Sequence, residues 1–389
     1  MITLKLAFRN LFGAGLRTWL NVFVLSFAFV IIVFTNGMLD GWNRQAYNDT
    51  KDWIAGNGQL WHATYDPYDP FCLQDAHAPI TGKISELVRS RQITPLLITQ
   101  ASIFPGGGMQ NILLRGIDTA QEIIHIPSAS LKSSGEDIAA VIGKRMAASA
   151  NLKKGDRVLM QWRDKNGTFD AKEIYVAEIF AANVPAIDKG QVWISLYELQ
   201  KMTGLENQAT LFIAGKQYPG GDVDNWKFRD VKFLMKDIDA VMAAKKSGTS
   251  MVYILLLALA LLAIFDTQVL SVFRRQKEIG TYIALGMTRG RVVGIFTAEG
   301  TVISILAIIA GFIYGIPLLM LIQKTGIPMP GSVDDYGLAI SDKIFPYYSI
   351  GLIMSTVLLV IISATIVSYF PARRISKINP TEALKGKIQ

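Results

Sequence analysis

The chain has 389 residues, of which 51% are hydrophobic and only 18% charged, and it carries a net charge of +8. A soluble protein of this size holds nearer a quarter charged residues, so the composition argues against an ordinary soluble enzyme. The cations fall in three short clusters rather than along one groove-sized face, which leaves nucleic-acid binding without a footprint.

In chain order, Leu4 and the "KLAFRNLFGAGLR" that follows it place Leu4, Ala7, Phe8, Leu11 and Phe12 on one helical face, with Lys5 and Arg9 elsewhere. That pattern suits an interfacial helix over residues 1–17, although the same residues also read as the first turns of the helix that follows. The apolar run Thr18–Leu39 is too long for the core of a signal peptide. No small-x-small cleavage site follows it in "TNGMLDGWNR", so it reads as a retained anchor. Cys72 has no lipobox around it and lies too deep in the chain to be a lipidation site.

Further apolar runs occupy Thr249–Phe273, Gly300–Gln323 and Ile344–Ala372. All exceed the roughly 20 residues that cross a hydrocarbon core. The predicted fold class is an α-helical membrane protein with four transmembrane helices. An α+β domain is inserted between the first and second. The spans are set at 18–39 (with a stalk beyond), 249–273, 292–323 and 344–370. The inserted domain is 40–248, the connecting loops are 274–291 and 324–343, and the tail is 371–389. Basic residues flank the first span (Lys5, Arg9, Arg17), fill the second connection (Arg274, Arg275, Lys277, Arg289, Arg291) and follow the last span (Arg373, Arg374, Lys377). By the positive-inside rule both termini and residues 274–291 are cytoplasmic, and the inserted domain lies outside.

Within that domain "GQLWHA" and "VWISL" read as strands. "PLLITQASIF" and "MQNILLRGI" read as a hairpin joined by "PGGG". "VIGKRMAASANLKKGDRVLMQW" reads as helix, turn and strand, and "SLYELQKMTG" as a helix between a Ser195 cap and a Gly204 stop. Trp42, Trp53 and Trp61 suit either the outer headgroup level or an ordinary core. Asp237–Lys246 forms a polar helical lead into the second span.

Enzymatic signatures are missing. "ITGKIS", "VIGKRM" and "IAGKQY" each hold Gly-Lys without the upstream glycine or following hydroxyl of a phosphate loop. His62, His77 and His125 lack metal-ligand spacing, and His77 beside Asp75 reads as an ordinary loop, so no metal site is predicted.

The stretch "RRQKEIGTYIALGMTRGRVV", Arg274–Val293, is more than a connector. Arg274–Leu285 suits a short helix, Gly286 a left-handed stop and Thr288 the cap of the next helix. Ile279, Ile283 and Leu285 would stand exposed unless another protein covers them, and Gly280 beside Glu278 permits close backbone approach. This reads as a docking element.

"VFRRQKEIGTYIALGMTRGRVVGIFTAEG" resembles the signature of the FtsX-like permeases, the superfamily of the lipoprotein-release permeases and the MacB-type exporters. The matching residues are Arg275, Lys277, Glu278, Ile279, Gly280, Ala284, Leu285, Gly286, Met287, Thr288 and Glu299. The tail adds Pro371, Ala372, Arg373, Pro380, Ala383 and Leu384, and "LRGID", "VIGKRMA" and "LKKGDRV" are similar to the family's periplasmic core domain. The chain departs from the pattern at Asp266, where Asn is common, and at Arg274-Arg275, where Glu-Arg is common. A carboxylate facing lipid at mid-span costs about 2.5–3.5 kcal/mol, so Asp266 is expected to face the bundle or to be paired.

The resemblance implies a non-catalytic permease subunit of a type VII ABC transporter in a bacterial inner membrane. Residues Arg274–Thr288, Tyr282 included, would dock on a separate ATPase, since the first span comes almost at once. ATP and Mg would bind that partner, and no cofactor would bind this chain directly. Two permeases, identical or different, and two ATPases would form the unit, among membrane lipids. Mechanotransmission would drive lipoprotein release, with a periplasmic carrier or adaptor met at the hairpin tip Phe104, Pro105, Gly106, Gly107, Gly108 and Met109. Export of the MacB type and control of a periplasmic cell-wall hydrolase are the alternatives.

Overall fold

The structure is a computed structural model that describes residues 16–132, 137–182, 185–328 and 343–374. The predicted interfacial helix at 1–17, most of the 324–343 loop and nearly all of the tail lie outside the described residues. The chain divides into two compact units: Met1–Trp42 with Val241–Ile327 and Phe345–Gln389, and Asn43–Ala240 with Pro328–Ile344.

The first unit is built on long helices: α1 (Leu16–Thr50), α4 (Lys236–Arg274), α6 (Arg289–Thr325) and α7 (Ile350–Arg374), with the short α5 (Gln276–Ala284) between α4 and α6. Among the described residues, the long ones are the 4 helices whose length and apolarity suffice to cross a membrane. A helix satisfies its own backbone hydrogen bonds, as hydrocarbon requires. Helicity outruns the apolar stretches that signalled it. α1 has 35 residues and α4 has 39, so at 1.5 Å per residue they reach about 50–60 Å, against a core of about 30 Å.

One apolar cluster joins the four: Leu25 and Phe29 from α1, Leu257 and Ile264 from α4, Ile303 and Ala307 from α6, Val360 and Ala364 from α7. Polar side chains pair beside it: Asn21 Nδ2 donates to Thr267 Oγ1 at 2.6 Å, and the Thr301 and Thr365 hydroxyls lie 2.9 Å apart. Trp42 is buried in this unit under the Lys245 ammonium, 3.6 Å from its ring centroid.

The second unit is β-rich, and its main sheet is built from β1 (Gly58–Trp61), β2 (Ile93–Ile103), β3 (Gln110–Ile117), β4 (Ile138–Gly143), β5 (Arg157–Arg163), β6 (Phe169–Phe180), β7 (Gln191–Ser195), β8 (Leu211–Ala214) and β9 (Lys227–Asp230). They form one sheet in the order β9-β1-β8-β2-β3-β7-β4-β6-β5, and β5 pairs back with β2. The strands from β2 round to β5 thus close into a ring, with β8, β1 and β9 as an arm. Alternation along each strand fills the ring with one residue set: Leu97, Ala101, Ile112, Leu114, Ala140, Met160, Val176 and Ile194. Helices α2 (Lys144–Ala150) and α3 (Leu196–Thr203) add Met146, Ala147 and Leu199 to this core.

The predicted hairpin is β2–β3, paired antiparallel from Leu96↔Ile117 to Ile103↔Gln110. Trp53 stacks on Phe180 at 5.4 Å, and Trp61 meets Tyr65 edge-on at 5.2 Å, so both rings belong to the packing of this unit. His77 sits in a loop, with its Nδ1 2.6 Å from Gln208 Oε1 and its Nε2 2.9 Å from the Gln74 carbonyl.

Candidate functional site: the short helix between two spanning helices

The chain leaves α4 at Arg275, whose backbone (φ −101°, ψ 21°) departs from helical values, and re-forms a helix at Gln276. α5 then ends in a Schellman motif. The Gly286 N–H bonds the Ile283 carbonyl and the Met287 N–H bonds the Tyr282 carbonyl, both at 3.0 Å. Gly286 has φ +88°, a value that side-chain-bearing residues rarely adopt. Thr288 occupies the cap position of α6 and its carbonyl accepts the first bonds of that helix, from the Arg291 and Val292 N–H, but its hydroxyl makes no capping bond.

The inner face of α5 departs most from expectation. Ile279, predicted to stand exposed, is fully buried, and Gly280 is buried beside it. Ile279 shares a cluster with Val272 of α4, with Val292, Val293 and Phe296 of α6, and with Ala372 of α7. Tyr282, Ile283 and Met287 pack at its margin. Burying a side chain of this size contributes about 1.5–3 kcal/mol. The sequence pattern missed this because the covering residues come from three other helices of the same chain. The outer face holds Arg274, Lys277, Glu278, Thr281, Ala284 and Leu285, all exposed; Leu285 keeps 81% of its surface.

Arg275 is turned inward. Its Nε donates to Glu278 Oε2 and its Nη1 to Glu299 Oε1, each at 2.7 Å. The guanidinium carbon lies 4.9 Å from the centre of the Phe296 ring. The Arg275 and Glu299 side chains keep only 18% and 8% of their surface, against 54% for Glu278. Burial is the largest influence on Arg275 and pulls its pKa down, but Glu299 and Glu278 together outweigh it and hold the pKa above the ordinary arginine value. The group is a fixed cation between one carboxylate on α5 and one on α6. Phe296 was not anticipated; lying three residues before Glu299, it shares that residue's helical face.

Just beyond Glu299, α6 and α7 approach each other at Gly300 and Ser368, with the buried Gln268 of α4 alongside. Asp266 corrects a further expectation. It faces out from the bundle, in the exposed row of α4 with Leu255, Leu259, Leu262 and Phe273, and makes no hydrogen bond or ion pair among the described residues.

The other candidate belongs to the β-rich unit. Pro105–Gly107 form a single 3-10 turn at the tip of the β2–β3 hairpin, Gly106 has φ +56°, and the Gly108 N–H bonds the Pro105 carbonyl at 3.1 Å. Phe104 and Pro105 are half-buried, Gly106 to Gly108 are exposed, and Met109 keeps 66% of its surface. Among the described residues no three His, Cys, Asp or Glu side chains gather as a metal site.

Residues 250–380, which contain α5 and all its neighbours, match the family described as FtsX-like permease C-terminal. The chain is similar to the lipoprotein-releasing system transmembrane protein LolC of Xylella fastidiosa, with 22% identity over 74% of this chain and 76% of the relative. It is also similar to the macrolide export ATP-binding/permease protein MacB of Wolinella succinogenes, with 21% identity over 50% of this chain and 27% of that protein. An uncharacterized ABC transporter permease of Methanocaldococcus jannaschii shares 29% identity over 32% of this chain and 29% of its own length.

Proposed function

We propose that this chain, an ABC transporter permease of the FtsX type, passes force from a separate ATPase through α5 to a β-rich domain on the far side of a bacterial inner membrane. Both termini and α5 face the cytoplasm in this reading, which the basic residues around 274–291 and 373–377 support. The observation that carries it is the division of α5 into two faces. Ile279 is locked into the permease, while Lys277, Glu278, Thr281 and Leu285 are presented outward at the end of a rigid seat. ATP and Mg bind the partner, since this sequence contains no phosphate loop. The permease itself performs no catalysis.

Two permeases, identical or different, and two ATPases form the working unit. ATP-driven closure moves α1 and α4, and with them the outer domains, without a substrate channel through the bilayer. The cargo is a lipid-anchored protein released toward a periplasmic carrier. The span of likeness to LolC, across three quarters of both proteins, supports that reading. The MacB likeness favours a second reading, tripartite export of small molecules or peptides, over a smaller part of the chain.

The test is capture. Cells carrying a photo-cross-linker at Leu285 should trap a nucleotide-hydrolysing protein. Glu278→Lys should lower ATPase turnover in the purified complex while the chain remains folded in the membrane. If Leu285 captures no ATPase and Glu278→Lys turns over ATP like the parent, the docking role fails.

A further inference from the structure

We infer that Arg275 is a positioning residue, a clamp that fastens α5 to α6 through Glu278 and Glu299, so that displacement of the short helix is delivered to the third spanning helix rather than back into the second. The inference rests on the coupling role proposed for α5 and adds its route of transmission.

Three relationships converge on it. First, α5 is continuous in sequence with α4 but not in geometry. Arg275 sits in the sparsely populated region near φ −90°, ψ 0°, where a chain changes direction, so the covalent link is a joint and not a rod. Second, the link to α6 is not covalent but is multiply anchored. One guanidinium holds a carboxylate of α5 and a carboxylate of α6 at 2.7 Å each, and lies over Phe296 of the same helix. Glu299 is 8% exposed. A charge-assisted contact of 2.7 Å in such surroundings is strongly held, so the pair stays closed while the helices move. Third, α6 contributes Val292, Val293 and Phe296 to the pocket around Ile279, where α4 and α7 contribute one residue each.

A push on α5 is therefore resisted least by the Arg275 joint and most by α6. Glu299 is followed directly by Gly300, where α6 meets Ser368 of α7. The shift reaches α7 as soon as α6 tilts. Arg275 thus contributes to coupling without facing the partner, whereas Lys277 and Leu285 face it.

The experiment uses the full chain with Arg275→Glu, Glu299→Arg and the double reversal, and Arg275→Lys and Glu299→Gln as milder variants. The first readout, which needs no ATPase, is hydrogen exchange of the Gln276–Ala284 amides in the purified permease. Each single reversal should raise it at least tenfold, Arg275→Lys should raise it less, and the double reversal should return it toward the parent. The second readout is stimulated ATP turnover per captured ATPase, which should fall with the singles and recover in the double.

Exchange that stays at the parental level in both single reversals, or a double reversal no better than the singles, overturns the clamp. Failure of the parent chain to capture any ATPase would sink the coupling role alone and leave the exchange result standing.

Discussion

A Cβ added to Gly300 would lie 1.8 Å from the Oγ of Ser368 and 2.4 Å from its Cβ, so the backbone of α6 rests directly on the Ser368 side chain of α7. Small residues permit this in a membrane, where packing and not the hydrophobic effect holds helices together. Gly300→Ala should destabilise the bundle by about 1–3 kcal/mol, as overpacking does. Ser368→Gly should rescue it, and Ser368→Ala should rescue it less because the Cβ remains. Thermal unfolding of the detergent-solubilised chain ranks these variants; equal melting of Gly300→Ala and parent would show that the crossing yields freely.

The two faces of α5 should separate stability from docking. Ile279 is 0% exposed and Leu285 81%. Ile279→Ala should cost about 2–5 kcal/mol, the range for buried large-to-small changes, and loosen residues 276–284 in hydrogen exchange. Leu285→Ala should fall within about 0.5 kcal/mol of the parent, as exposed substitutions do, yet weaken capture of the ATPase. A parental exchange rate in Ile279→Ala would contradict the seat described above.

The apolar runs, the β2–β3 hairpin and the Gly286 stop were legible because each is a local pattern: twenty apolar residues, alternation around a glycine turn, or a glycine after a helical period. The burial of Ile279 was not, because Val272, Phe296 and Ala372 reach it from helices far apart in sequence. Arg275 falls within the docking stretch Arg274–Thr288, and nothing local in the sequence signals its turn inward. Its partner Glu299 was visible, but the pairing of the two depends on how α5 folds back. Asp266 was expected to face the bundle or to be paired, on the cost of its charge, and among the described residues of a single chain it does neither. The ring closure of β5 onto β2 has no local signal at all.

Inside the β-rich unit, Arg145 Nη1 lies 3.1 Å from Asp188 Oδ2, with the Asp188 side chain only 2% exposed. The same carboxylate accepts from the Arg145 backbone N–H at 3.2 Å and sits where a Cβ on Gly143 would fall, 1.9 Å away. Asp188→Ala should destabilise this unit by about 3–5 kcal/mol, because the Arg145 guanidinium loses its charged partner, although its Nη1 still donates to the Ala182 carbonyl at 3.2 Å. Asp188→Asn, which keeps an acceptor, should cost less. Limited proteolysis between residues 43 and 240 of the full chain measures the difference, and equal resistance of Asp188→Ala and parent would refute it.

Asp266 lies in an exposed row of α4 with Leu262, and facing lipid it would carry a cost of about 2.5–3.5 kcal/mol at mid-span. In the proposed assembly the second permease covers it and supplies a hydrogen-bond donor. Cys72 is free, so a Cys72→Ser background makes cross-linking clean. Leu262→Cys should then form a permease–permease cross-link in membranes, Asp266→Asn should assemble normally, and Asp266→Leu should yield less of the pair. Exclusive cross-linking of position 262 to lipid probes would place this row outside any interface.

The hairpin tip separates cargo hand-over from ATP hydrolysis. Ile103 pairs with Gln110, so the six residues Phe104–Met109 bridge strands already in register. Replacing them by Asn-Gly closes an antiparallel pair of this kind with a two-residue turn, and the ring behind it, packed on Ile103, Ile112 and Met160, should keep its fold. The half-buried Phe104 and Pro105, the glycine turn and the exposed Met109 are lost, together with the bond from the Phe104 N–H to the Leu159 carbonyl. The shortened chain should assemble with its ATPase and hydrolyse ATP at the parental rate, while release of a lipid-anchored protein to a soluble carrier falls at least tenfold in reconstituted vesicles. Release that proceeds normally removes the tip from the mechanism. Loss of hydrolysis together with release would instead tie the tip to the coupling cycle, which a surface turn at the end of a closed ring gives no physical reason to expect.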